Sequence, residues 1–136
     1  MHRVDFDVQA EYEQNSSGIV IPVQLKLDSK RFVKFAAKID TGSEYCLFER
    51  RYAEILGLDV EAGHPIRCRT ATGSIENAFG HELTLASLGF EFSGTYYFFA
   101  EPEAPRSLLG RLGWLNRLRL AIDDTANPGL LLASRA

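Results

Sequence analysis

Apolar side chains stand at every second position through Ile19, Ile21, Val23, Leu25 and Leu27, with Val20, Pro22, Gln24 and Lys26 between them. An extended chain sends alternate side chains to opposite faces, so this spacing fits a half-buried β-strand and does not fit a helix. Asp28-Ser29-Lys30 then supplies turn chemistry, and an extended pattern resumes at Phe32, Lys34 and residues 35–39. Residues 18–39 are therefore predicted to form a β-hairpin, which leaves Asp40 just past the end of its second strand. Val4, Phe6 and Val8 alternate in the same way, and further strands are expected around 45–48, 66–71, 75–79, 83–86 and 95–100. Two segments read as helical. Residues 51–58 place Tyr52, Ile55 and Leu56 before Gly57, and residues 109–118 carry Leu112, Leu115 and Leu118, although Gly110 and Gly113 disfavour a helix there. The expectation is an all-β domain with one or two short helices.

No repeat, low-complexity tract or linker divides the 136 residues, so a single domain over 1–136 is expected. With 46% hydrophobic and 24% charged residues the chain has the make-up of a globular domain, able to build a core without disulfide or metal staples. The net charge is −3 with the signs interspersed and no basic run, which argues against nucleic acid as a partner. No apolar stretch approaches the roughly 18 residues of a spanning helix, so no membrane segment is expected. Asp5, Asp7, Glu11 and Glu13 stand where a signal peptide would have a basic and then an apolar region, and a cytoplasmic location is the default reading. In that location the Asn15-Ser16-Ser17 triplet carries no weight. Cys46 and Cys68 are too few for a disulfide framework and read as small core residues, while His2, His64 and His81 are isolated. No metal ligand set and no cofactor is expected.

Residues 37–43 read Ala-Lys-Ile-Asp-Thr-Gly-Ser. Asp-Thr-Gly alone is weak, because a given tripeptide occurs by chance in roughly a few per cent of chains this long. Here it follows an apolar strand and precedes a hydroxyl residue. Much later comes Leu108-Leu109-Gly110-Arg111. Together these resemble the retropepsin-like aspartic proteases, the single-domain relatives of the two-lobed pepsins. The resemblance spans about residues 18–123, and it takes in the short helix at 52–58 and the segment Thr70-Ala71-Thr72-Gly73-Ser74 where a flap belongs. It implies a closed or partly closed acid-protease barrel, functional as a symmetric homodimer, that hydrolyses peptide or protein substrates bound in extended conformation. Asp40 becomes the catalytic aspartate. Thr41 would reach the partner's loop, Gly42 would let substrate come close, and Ser43 would donate its hydroxyl to the carboxylate, lowering the working pH. Thr72, Gly73, Ser74 and Ile75 form the flap, with Gly73 at its tip. Leu108, Leu109 and Gly110 pack beneath the catalytic loop, Arg111 is expected to brace it by an ion pair with Glu44, and Ile75, Phe79 and Leu109 are candidates to line an apolar pocket. Leu112 departs from the family pattern, which has a polar Asp or Asn there. The first seventeen residues and the tail 123–136 have no clear counterpart in a minimal retroviral enzyme.

A single aspartate is half of such a mechanism. One carboxylate must take a proton from water while a second, protonated, gives one to the scissile carbonyl. Asp123 and Asp124 lack the strand-to-loop context. A two-fold axis that brings Asp40 opposite its own copy supplies the missing group. Two other readings stay open at this level: a non-catalytic peptide-binding or dimerisation module that keeps the fold, and a chance Asp-Thr-Gly turn in an unrelated β-barrel.

Overall fold

A computed structural model describes residues 1–15, 17–103 and 106–136, so Ser16 of the Asn15-Ser16-Ser17 triplet lies outside the described residues. In chain order the strands are β1 (Val8–Tyr12), β2 (Val20–Lys26), β3 (Phe32–Ile39) and β4 (Leu47–Phe48), followed by the helix α1 (Arg50–Ile55). Then come β5 (His64–Arg69), β6 (Ile75–Ser87), β7 (Phe90–Phe99), β8 (Leu108–Leu109), β9 (Leu118–Asp123) and β10 (Gly129–Arg135). Short 3₁₀ turns stand at Val60–Ala62 and Leu115–Arg117. Among the described residues no helix is long and apolar enough to cross a membrane.

The predicted hairpin over 18–39 forms as β2 and β3, with Val20 opposite Lys38 and Lys26 opposite Phe32. Seven strands run in the order β2-β3-β8-β4-β7-β6-β5, and β2 also pairs with β6 through Leu25 and Leu85, so the sheet closes on itself with β5 outside the ring. Closure leaves few free backbone edges. Inside lies one large core that includes Ile21, Leu25, Phe48, Leu85, Phe98, Leu109 and Trp114, supplied by alternate residues of the ring strands. A smaller second cluster gathers Leu47, Ala78 and Phe99 with the half-buried Tyr45, Ile66, Cys68 and Tyr97.

Three expectations need correction. The first ladder begins at Val8, not Val4, because its partner β10 sets the register, with Val8 opposite Ala133 and Tyr12 opposite Gly129. The two strands expected over 75–79 and 83–86 are one strand of thirteen residues. Gly80 sits inside it because a Cβ there would come within 2.6 Å of the Tyr97 ring and 2.7 Å of Thr95 Cγ2. Residues 109–118 make no α-helix: Leu108 and Leu109 are a short strand between β3 and β4, and Gly113 turns the chain at φ +93 before the 3₁₀ turn. The terminal segments, which are not expected in a minimal retroviral enzyme, contribute β1 and β10 to a three-stranded sheet β1-β10-β9.

Candidate active site

Asp40 is placed by backbone pairing on both sides of it. β8 runs parallel to the end of β3, with Lys38 beside Leu108 and Ile39 beside Leu109, and the Asp40 N–H continues the ladder to the Leu109 carbonyl at 2.9 Å. The chain then turns: the Ser43 N–H bonds back to the Asp40 carbonyl at 3.1 Å. Within this turn the Gly42 N–H donates to Asp40 Oδ1 at 3.0 Å, which fixes the partly exposed carboxylate. A Cβ at position 42 would press on that same oxygen at 3.3 Å. Thr41 is exposed at the crest of the turn.

Support from below comes from the second motif, by contacts more backbone than side chain. Gly110 is buried, and a Cβ there would lie 2.1 Å from the Tyr45 carbonyl oxygen and 2.7 Å from that of Ser43. The Arg111 N–H donates to the Ser43 carbonyl at 2.9 Å and the Leu112 N–H to the Glu44 carbonyl at 2.8 Å. These bonds do the bracing expected of an Arg111–Glu44 ion pair. The pair itself is absent from the salt bridges within 4.0 Å among the described residues, both side chains being exposed. A loose surface pair would add little where the backbone already locks the segment. Ser43 also differs from expectation. Its hydroxyl donates to the Tyr45 carbonyl at 2.7 Å, and a hydroxyl has one proton to give, so it is engaged in holding the loop rather than charged against Asp40.

Cys46 is a small core residue by its sequence context, and in the structure its thiol lies at the centre of this support. Cys46 Sγ accepts the Gly110 N–H at 3.3 Å and lies 3.6 Å from the Leu112 carbonyl oxygen. Burial pushes the thiol up to about 12, so it stays protonated and inert. Its only signal in the sequence is a small residue on the core-facing alternation after the motif. Ser107 is a second omission. It is buried beside β8 and gives its hydroxyl to Glu49 Oε2 at 3.0 Å while accepting the Glu49 N–H at 3.2 Å.

The flap candidates form the tip of the β5–β6 hairpin. The Gly73 N–H bonds to the Thr70 carbonyl at 2.9 Å and the Thr70 N–H to the Ser74 carbonyl at 2.9 Å, with Gly73 at φ +87 as this turn requires. The Thr70 hydroxyl lies 3.0 Å from that of Thr72 and 2.7 Å from that of Ser74, and Ile75 is exposed at the base of the tip. Among the described residues the tip shares no hydrogen bond with the Asp40 loop. Of the expected pocket residues, Ile75 is accessible and Phe79 half-buried, whereas Leu109 is 0% exposed and belongs to the core. Its neighbour Leu108 faces outward instead, since adjacent strand residues alternate. No group of His, Cys, Asp or Glu suited to a metal ion occurs among the described residues.

The comparisons bear on the whole of this arrangement. No curated protein matches the chain by sequence. A crystal structure of a retropepsin-like aspartic protease from Rickettsia conorii is similar in fold, with a TM-score of 0.61 over 100% of this chain and 99% of that one, at 20% identity. The family model described as aspartyl protease matches residues 23–112, which contain the Asp40 loop, the β5–β6 hairpin and the Leu-Leu-Gly segment. The chain thus belongs to the aspartyl protease family and has the retropepsin-like fold.

Proposed function

We propose that the protein is an aspartic endopeptidase whose active site forms between two copies of the chain. The observation that carries this reading is the Asp40 loop. A carboxylate is held by the Gly42 N–H at the end of a strand, and the chain supplies that Asp-Thr-Gly loop once. Two carboxyls about 3 Å apart cannot both ionise, so a pair of Asp40 groups shares one proton. The ionised member takes a proton from water as the water oxygen adds to the scissile carbonyl carbon. The protonated member gives its proton to the carbonyl oxygen. Collapse of the tetrahedral species breaks the C–N bond, with a proton passing to the departing nitrogen. The β5–β6 hairpin supplies the flap, which closes over an extended substrate and excludes water. Thr41, exposed on the crest of each loop, holds the two loops together across the axis. No cofactor takes part.

The test is cleavage of a peptide library from acidic to mildly alkaline pH by the wild type and by Asp40→Asn, with and without a statine-type transition-state analogue. Asp40→Asn is expected to lose at least about 100-fold in kcat/KM, the lower range for removal of a general acid–base group. Full activity in that variant overturns the mechanism. A wild type that binds the analogue and cleaves nothing identifies instead a non-catalytic peptide-binding module.

A further inference from the structure

The ring sheet has a second face, and its residues form a continuous row beside Asp40. Following the strand register outward from β3, Lys38 lies beside Leu108, Leu108 beside Leu47, Leu47 beside Tyr97, and Tyr97 beside Gly80. Paired residues share a face, and the alternate positions Ile39, Leu109, Phe48 and Phe98 point into the main core, so this row points away from it. The next row holds Phe99, Ala78 and Ile66. Leu47 and Tyr97 of the first row and Phe99, Ala78 and Ile66 of the second, with Tyr45 and Cys68, make up the second apolar cluster, which thus spans from the exit of the Asp40 loop to the β5–β6 hairpin. Gly80 leaves its place in the row to the Tyr97 ring.

Two phenols stand on this floor. The rings of Tyr45 and Tyr97 are 4.9 Å apart at 59°, and both side chains are half-buried. Of the five tyrosines, Tyr12, Tyr52 and Tyr96 have bonded hydroxyls, whereas those of Tyr45 and Tyr97 have no partner among the described residues. Neither hydroxyl is sealed from solvent, so water serves both until a ligand covers them, and the ligand must then supply the partner. Burial, then the neighbouring Tyr45 phenol and the Glu82 carboxylate, raise the Tyr97 pKa, so the Tyr97 phenol keeps its proton and can both donate and accept.

We infer that Tyr45 and Tyr97 are specificity-determining residues that select a substrate side chain ending in a carboxamide, Asn or Gln, at one position flanking the cleaved bond. The aliphatic stem lies on the partly exposed Leu108 and on the two tyrosine rings, which pack against the buried Leu47 and Ala78, and the amide exchanges hydrogen bonds with the two phenols. A carboxylate is disfavoured there by the Glu82 charge. A purely apolar side chain fills the floor and leaves both hydroxyls unpaired. This inference rests on the peptidase reading and adds a substrate class to it.

The experiment compares peptides that differ by a single Leu-to-Gln or Leu-to-Asn exchange at each position around the cut. They are assayed with the wild type, Tyr45→Phe, Tyr97→Phe and the double variant, all of which keep the rings. At one position the wild type is expected to prefer the carboxamide by about 10-fold in kcat/KM, in the range of a site built to hydrogen-bond its substrate. Each single variant lowers that ratio, and the double variant brings it to about 1. Because the ratio is taken within each protein, a general loss of folded enzyme cancels. A wild type that cleaves these peptides without any carboxamide preference overturns the inference and leaves the peptidase reading standing, as does a preference that survives in the double variant. A wild type that cleaves none of them overturns both.

Discussion

Gly110 has no room for a side chain, and that single fact ties the two motifs of the sequence together. The Cβ of an alanine would fall 2.1 Å from the Tyr45 carbonyl oxygen, a backbone atom that cannot swing aside. Gly110→Ala is expected to cost about 3 kcal/mol of stability, the upper range for overpacking a filled site. A urea denaturation midpoint unchanged from the wild type would show that the two segments do not pack as described. The need for a glycine here was legible, because Leu-Leu-Gly after Asp-Thr-Gly-Ser is a pattern of residue types. The partners of individual side chains were not. Ser43 turns to the Tyr45 carbonyl, and Arg111 and Glu44 leave the bracing to their backbones. Where the family pattern has a polar Asp or Asn, Leu112 offers its carbonyl oxygen to the Cys46 thiol at 3.6 Å. Which of several acceptors a hydroxyl or thiol chooses depends on distances that no spacing rule encodes.

Strands were easier to read than their limits. Alternation located β2 and β3 because one face is buried and the other solvated, so the period shows in the residues themselves. β8 and β4, two residues each, are too short to show any period, and only their neighbours make them strands. β10 shows no comparable signal and β1 begins later than the alternation at 4–8 predicts for a related reason, since the pairing of β1 with β10 spans nearly the whole chain. Tyr12 anchors that pairing. Its ring lies over Gly129, and its hydroxyl donates to Asp124 Oδ1 at 2.5 Å, while Gln14 Nε2 reaches the carbonyls of Asp124 and Ala126. The bond to Asp124, with some burial, pushes the Tyr12 phenol from 10.0 to about 12. The folded protein therefore holds this proton more tightly than the unfolded chain does. Its contribution is complete below pH 10 and is lost as pH rises toward 12. Stability measured by denaturant at closely spaced alkaline pH values should fall across this window. Tyr12→Phe should be less stable at neutral pH and show a shallower fall. An identical slope in the variant would mean that Tyr12 is not the group responsible.

At the scale of the whole molecule, a closed ring of strands carries one Asp40 loop, one β5–β6 hairpin and one supporting Leu-Leu-Gly segment. The ring explains why the loop is rigid. β3, β8 and β4 are held side by side, and the loop leaves the sheet between strands whose ends are already fixed. It does not explain catalysis, since a lone carboxylate cannot both take and give a proton in one step. We therefore propose a working unit that contains two Asp40 carboxylates from two chains. It is tested most directly by mixing wild type with an equal amount of Asp40→Asn, allowing the subunits to exchange, and measuring peptide cleavage at constant total protein. If both carboxylates are needed in one site, random pairing leaves only the dimers of two wild-type chains active, and activity falls to about a quarter of that of wild type alone. A fall to about half, the value for chains that each carry a complete site, would contradict a shared active site.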